Sequence, residues 1–330
     1  MGIINTRFFA RRCRPRQLVI WPLMNIDLIG VPFDGYGRTG HQDYAATVLR
    51  ETGLVEAVRP HDLRDRGDLR LPPGESVRGA QTNLLNEPAL MEMTDQLNTR
   101  VAESLGAHRF PVVVGGDCSL LLGVVTGVRD ALGRIGLLFI DGHEDTMPLD
   151  VVEDGEAANC EIGLLLGLTG RQLAGPLAGK LPALDRHRLA MIGQRDAEWR
   201  RRFNVGSLAD VGVWSRDLDQ MHGCPENSGR GAAEHLRRHA DAWWLHVDLD
   251  VLDPVVFSAQ GLPDYPDEPG GLDMAQLKAV VGGAVRAGDC VGMSVTIYDP
   301  AQDPDRSDAE AVIGLIGETL RECAHNSHDS

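Results

Sequence analysis

Nowhere in this chain of 330 residues does an apolar run reach the length needed to cross a bilayer, since those near Leu120 and Leu164 are broken by glycine and polar residues within a few positions. No membrane partner is expected. Basic residues are scarce: 32 Lys and Arg stand against 48 Asp and Glu, a formal charge of −16 that opposes binding to polyanions. Nucleic acid is therefore excluded as an expected partner. The six cysteines (Cys13, Cys118, Cys160, Cys224, Cys290 and Cys323) lack the dense, regular spacing of a disulfide scaffold, so reduced thiols and a cytoplasmic location are expected. The chain also lacks internal repeats, low-complexity tracts and any linker long enough to separate two cores; the Gly/Pro-rich stretches Leu71 to Gly79 and Gly261 to Gly271 read as loops over one domain. No Walker-type lysine or phosphate-cradling glycine pattern follows Gly115-Gly116, which argues against a nucleotide-binding domain.

What is present is the composition of a globular protein, with 43% hydrophobic and 24% charged residues. The first 24 residues stand apart: Arg7, Arg11, Arg12, Arg14 and Arg16 precede the first acidic residue, Asp27. This stretch lacks the cleavage-site pattern of a targeting signal. It reads as a basic arm, or as translation assigned to begin upstream of a true start at Met24, with residues 25–330 forming one domain.

Short apolar runs recur at Ile26 to Val31, Phe110 to Val114, Ile135 to Ile140, Leu189 to Ile192, Val211 to Trp214, Trp243 to Val247 and Val291 to Ile297. Continuous hydrophobicity of this kind fits parallel strands buried on both faces. Helical patterns at Ser119 to Leu132, Ala232 to Ala240, Leu272 to Val285 and Asp308 to Cys323 lie between or after them. The alternation predicts an α/β fold: a three-layer α/β/α, doubly wound, mainly parallel sheet. In such sheets ligands bind beyond the carboxyl ends of the strands, so the residues that follow each run carry the function.

Three of those strand ends are acidic. Val112 to Ser119 reads Val-Val-Val-Gly-Gly-Asp-Cys-Ser, a sharp turn with Ser119 placed to cap a helix. Leu137 to Asp145 sets Asp141, His143 and Asp145 at alternate positions, which an extended backbone points the same way. His246 to Pro254 repeats the alternation with Asp248 and Asp250. Four carboxylates and an imidazole converging at a buried sheet edge repel one another and resist desolvation unless a cation sits among them. Oxygen-rich ligation with one histidine suits Mn²⁺, and several carboxylates suit a two-ion site that lowers the pKa of a bound water and orients it.

Together the three segments resemble the ureohydrolase family of arginases, agmatinases and formiminoglutamases, whose motifs are Gly-Gly-Asp-His-Ser, Asp-Ala-His-X-Asp and Asp-X-Asp-X-X-Asp-Pro. Gly30-Val-Pro-Phe-Asp34, Gly193-Gln-Arg-Asp196 and Gly270-Gly-Leu272 extend the likeness along the chain. The resemblance implies that Asp141 and Asp248 bridge two divalent ions, that His143 and Asp250 complete one site, and that Cys118 and Asp145 complete the other. It implies hydrolysis of a C–N bond in a linear amidine (a guanidino, N-hydroxyguanidino or formimino compound), with metal-bound hydroxide as nucleophile and Mn²⁺ as the expected ion. The partner implied is a small molecule, an amino-acid derivative, and a homo-oligomer accords with the family.

Three departures qualify the likeness. Cys118 stands where the family has a histidine ligand; as a thiolate it adds negative charge and favours Zn²⁺ or another thiophilic ion, and a buried non-ligand cysteine is the alternative. The family's proton-carrying histidine aligns near Ala158, and no histidine occurs between His143 and His187. Glu144, His222 and His246 are the candidates to protonate the leaving nitrogen, with Asp145 beside them in the catalytic set; His246 reads equally as a core histidine. Finally, Ile297 replaces the glutamate with which arginases grip a guanidinium, which suits a less basic group. Asp196 and Glu198 match positions near the substrate amino group, and Met147 stands where an amide would hold its carboxylate. The losses at 158 and 297 motivate a second reading, a catalytically weak relative with a binding or regulatory role.

Overall fold

A computed structural model describes residues 23–152, 154–169, 173–221, 223–260 and 270–326. The basic arm, His222 and most of the predicted loop from Gly261 lie outside the described residues.

Among the described residues, eight strands form a single sheet: β1 (Asn25–Gly30), β2 (Asp62–Asp68), β3 (Phe110–Val114), β4 (Ile135–Ile140), β5 (Leu189–Ile192), β6 (Trp214–Arg216), β7 (Ala242–Asp248) and β8 (Cys290–Thr296). Their order is β2-β1-β3-β8-β7-β4-β5-β6, and every pairing is parallel. Successive side chains alternate between two cores, as a pleated strand buried on both faces requires. Leu138, Ile140, Leu245 and Val247 enter one core with the helices Pro225–His239, Met274–Val285 and Ser307–Asn326; Leu137, Phe139, Trp244 and Val113 enter the other with Glu87–Gly106 and Leu121–Leu132. The predicted three-layer, doubly wound architecture is what the chain adopts.

One predicted strand shifts and one strand was not predicted. The run Val211 to Trp214 begins as a 3₁₀ turn, Leu208–Val211, capped by Ser207, and Gly212 (φ 89°) turns the chain before β6 opens at Trp214. Strand β2, Asp-Leu-Arg-Asp-Arg-Gly-Asp, is absent from the apolar runs because it is the sheet edge, where charged side chains are tolerated. Its Arg64, with Arg109 from the start of β3, grips the buried Asp27 carboxylate of β1, and Ser104 donates to the same group at 2.6 Å.

Strand order decides where the acidic tips meet. Strands β3, β8, β7 and β4 are consecutive neighbours in the sheet, so their carboxyl ends lie side by side although they begin at residues 110, 290, 242 and 135. Among the described residues no helix is long and apolar enough to cross a membrane.

Candidate metal centre

Strand β3 leaves the sheet through Gly115 (φ 93°) and Gly116 (φ 69°). A Cβ at Gly115 would sit 2.9 Å from the Val31 carbonyl, so the turn needs glycine for both space and conformation. Asp117 then caps a 3₁₀ turn, accepting from Ser119 N at 3.0 Å, and the turn drops Cys118 onto the sheet edge with 2% of its surface exposed.

Asp141 directly follows β4, and Asp248 ends β7. Each has one carboxylate oxygen tied to the backbone two residues on: Asp141 Oδ1 accepts from His143 N at 2.6 Å, and Asp248 Oδ1 accepts from Asp250 N at 2.8 Å. That pins their Oδ2 atoms toward Cys118 Sγ, which lies 3.7 Å from Asp141 Oδ2 and contacts Asp248 Oδ2. Asp250 accepts from Gly142 N at 2.8 Å and holds His143 Nδ1 at 2.7 Å. Asp145 takes the left-handed conformation (φ 47°), as does Ile297 beyond β8 (φ 63°), an unfavourable backbone for a β-branched residue. Ile297 is held there by its N–H donating to Gly116 O at 2.9 Å.

Three donor groups result, and within each one ligand atom per residue lies within 4.8 Å of the others: Cys118, Asp141, His246 and Asp248; Asp141, His143 and Asp145; and Cys118, Asp145 and Glu161. Without a cation among them these groups are electrostatically frustrated. Burial and then Asp250 push Asp141 up to about 7; burial, Asp250 and Asp141 raise Asp248; burial and Glu161 raise Asp145; burial and Asp248 raise the Cys118 thiol. Asp250 alone moves down: burial opposes its ionisation, but His143 and Arg195 outweigh it. The donor set, mainly carboxylate with one imidazole at the cleft and one sulfur beneath it, fits divalent cations.

His246 stands behind this centre. Its ring is fully buried, stacked on Phe139 at 5.4 Å, with Nδ1 2.8 Å from Ser294 Oγ and Nε2 3.3 Å from Cys118 Sγ. Ser294 Oγ already accepts from Trp244 Nε1 at 2.9 Å, and its own proton has His246 Nδ1 as its acceptor. The hydrogen of the neutral imidazole then sits on Nε2, aimed at the sulfur; burial holds the ring neutral, with a pKa down to about 3. His246 is thus a neighbour of Cys118 and does not line the cleft.

The cleft opens to solvent and is lined by Tyr36, Gln42, Asp117, Asp154, Glu156, Ala158, Asn159, Trp199 and Ile297, with Cys118, His143, Asp145, Asp248 and Asp250 at its floor. Glu144 and Asp196 are not brought to it. Glu144 accepts from Arg200 at 3.0 Å, Ser207 Oγ at 2.6 Å and Leu208 N at 2.8 Å, while Asp196 Oδ2 accepts from Arg200 Nε and Glu144 N. Glu198 points outward, its side chain 80% exposed, and Trp199 takes the place by the cleft. Met147 is buried in the core on the far side of the loop. The acidic wall of Asp117, Asp154 and Glu156 is not among the sequence candidates; the acid at the first strand end, Asp117, and the alternation Asp154-X-Glu156 after the second motif were its signals. No Lys or Arg occurs among the described lining residues.

An all-parallel sheet with helices on both faces and a cluster of potential cation donors at its central strand tips defines an α/β protein with a candidate metal centre. Residues 24–321 match the arginase family model, and the chain belongs to that family. It is 26% identical over 297 residues to an arginase of Staphylococcus aureus (strain MRSA252), covering 88% of this chain and 95% of that one, and 25% identical over 306 residues to an arginase of Bacillus caldovelox, covering 90% and 98%. The solved Bacillus caldovelox arginase superposes with a TM-score of 0.79 at 23% identity over 90% of this chain and 98% of that one. Proclavaminate amidino hydrolase from Streptomyces clavuligerus gives 0.64 at 21% identity over 92% and 93%. These structures share the fold.

Proposed function

We propose that this chain is a metal-dependent hydrolase that cleaves a C–N bond of a linear amidine, and that its substrate carries positive charge and no carboxylate. The observation that supports the first part is the convergence of Cys118, Asp141, His143, Asp145, Asp248 and Asp250 on one cleft floor. Asp141, His143, Asp248 and Asp250 would hold one divalent ion, and Asp141, Asp248, Cys118 and Asp145 the other. Mn²⁺ is the expected ion where oxygen and nitrogen donors dominate, and Zn²⁺ or another thiophilic ion at Cys118. Bound there, such ions supply a water of lowered pKa as the nucleophile.

The chain's own residues orient that chemistry. His143, fixed on Asp250, and Asp145, with its left-handed backbone, line the cleft floor where the amidine would lie. Asp145 is also the cleft-lining carboxylate placed to carry a proton toward the leaving nitrogen, a role that Glu144 and His246, both committed elsewhere, do not reach. Ile297 gives the amidine an apolar wall. Opposite it, Asp117 keeps Oδ2 without a hydrogen-bond partner, and a Cβ at Gly35 would meet both that oxygen and Glu156 Oε1 within 2.7 Å. These two carboxylates share a narrow space that a substrate amine or guanidinium neutralises and a substrate carboxylate is repelled from. An amino-acid derivative therefore fits this cleft less well than a decarboxylated amine.

The test is a product-release screen with agmatine, guanidinobutyrate, arginine, N-hydroxyarginine and formiminoglutamate, each with Mn²⁺, Zn²⁺ and Ni²⁺. Turnover of a cationic, carboxylate-free amidine that vanishes in Asp141→Asn is expected. Metal binding without turnover of any of them would favour the binding or regulatory reading.

A further inference from the structure

Glu161 belongs to none of the motifs, and its surroundings are unusual. It opens the short helix Glu161–Leu166, is fully buried, and neither carboxylate oxygen has a hydrogen-bond partner. It is not loosely placed: the helix is laced to the Asp145 loop by Gly163 N donating to Asp145 O at 3.1 Å, and Met147 N donating to Asn159 O at 2.9 Å closes the same pair of segments. That lacing sets a Glu161 oxygen within 4.8 Å of ligand atoms of both Cys118 and Asp145. A buried carboxylate aimed at a thiol and a second carboxylate is costly as an anion unless something positive completes the group. Without a cation a proton held by Asp145 can serve Glu161; with both groups ionised, Asp145 is another acceptor and a cation is what completes the pair.

We propose that Glu161 is an additional protein ligand to the ion held by Cys118 and Asp145, making that site a sulfur-and-carboxylate site distinct from the His143–Asp250 site. The assignment rests on the two-ion reading above. It accounts for the cysteine at position 118 at the same time: sulfur is a large, polarisable donor that favours a thiophilic divalent cation, and a second carboxylate from a different segment adds an oxygen donor from outside the cleft. The excess negative charge of this half would hold its ion more tightly than the neighbouring half holds the other.

The test titrates the metal-stripped full-length protein with Co²⁺ by calorimetry, in wild type, Glu161→Gln, Cys118→Ser and Asp250→Asn. Wild type is expected to bind two ions. Glu161→Gln and Cys118→Ser are each expected to weaken the same ion at least 10-fold and leave the other within 3-fold, whereas Asp250→Asn weakens the opposite one. Melting of the stripped proteins separates ligation from a structural role. Glu161→Gln removes an unpartnered buried carboxylate, so it should melt no lower than wild type without metal and gain less from Co²⁺. Two unchanged affinities, equal weakening of both ions, or a stripped variant that melts below wild type or fails to fold, in Glu161→Gln and again in Glu161→Ala, would overturn the assignment while leaving the two-ion centre standing. A wild type that binds no Co²⁺ would overturn both.

Discussion

If the carboxylate cluster is a cation site, removing one bridging carboxylate must stabilise the stripped protein and destabilise the loaded one, and Asp141→Asn is the variant that separates the two. An ion present at a thousand times its Kd contributes about 4.1 kcal/mol. For a chain of 330 residues, unfolding entropy of about 2.1 cal/mol/K per residue amounts to about 0.7 kcal/mol/K, so each ion should raise Tm by about 6 °C and two by about 12 °C. Asp141 lies between both donor groups that contain it, so Asp141→Asn should lose most of that gain. With chelator present the sign reverses. Burial and Asp250 hold the Asp141 carboxyl up to about 7, so the folded state keeps a proton that the unfolded chain releases near 4. Stability of the stripped wild type therefore falls as pH rises from about 4 to about 7 and levels off above it. At pH 8 the amide variant avoids that loss, which at about 1.4 kcal/mol per pKa unit is on the order of a few kcal/mol. The assay is differential scanning calorimetry at pH 5 and pH 8, with chelator and with saturating Mn²⁺ or Zn²⁺. A wild type whose Tm ignores metal, or an Asp141→Asn that melts lower than wild type in chelator at pH 8, would refute the reasoning.

Ser294→Ala should free the tautomer of His246 and remove the directed N–H from Cys118, lowering Zn²⁺ affinity about 10- to 100-fold in a chelator competition, with little change in the cleft itself. Cys118→His should favour Mn²⁺, but the His246 ring 3.3 Å from the sulfur fills part of the space it needs. The single variant is expected to lose about 1–3 kcal/mol in urea melts from overpacking, and Cys118→His with His246→Ala to recover it and shift preference from Zn²⁺ to Mn²⁺. Glu156→Gln should raise KM for a cationic amidine about 10-fold with kcat changed far less, because the acidic wall binds charge away from the reacting carbon. An equal loss in both constants would place Glu156 in the chemistry instead.

The fold class and the acidic strand tips were legible in the residues alone. Short apolar runs rich in β-branched residues fit strands buried on both faces, and Asp141, His143, Asp145, Asp248 and Asp250 sit at alternate positions at or just past the ends of two of them, although the turns that follow, with Asp145 in the left-handed region and Asp250 in a 3₁₀ turn, set their final directions. The helix Glu87–Gly106 was equally open to reading, with Pro88 in its first turn and a stripe of Leu90, Met93, Leu97 and Val101, yet no predicted element covers it. Strand β2 was not legible, since an edge strand may be charged throughout. What only the tertiary structure decided are relations between segments distant along the chain. The crossovers make β3, β8, β7 and β4 neighbours, so Cys118 meets Asp248 and His246 falls behind the sulfur while lying out of reach of the cleft. Arg200 draws Glu144 and Asp196 away, the loop after Asp145 lays Asp154 and Glu156 along the cleft, and backbone hydrogen bonds tuck Glu161 beneath Asp145. Side-chain alternation is a local property of one strand, whereas which face a loop residue presents depends on what packs against it, and that is settled only when the whole sheet has formed.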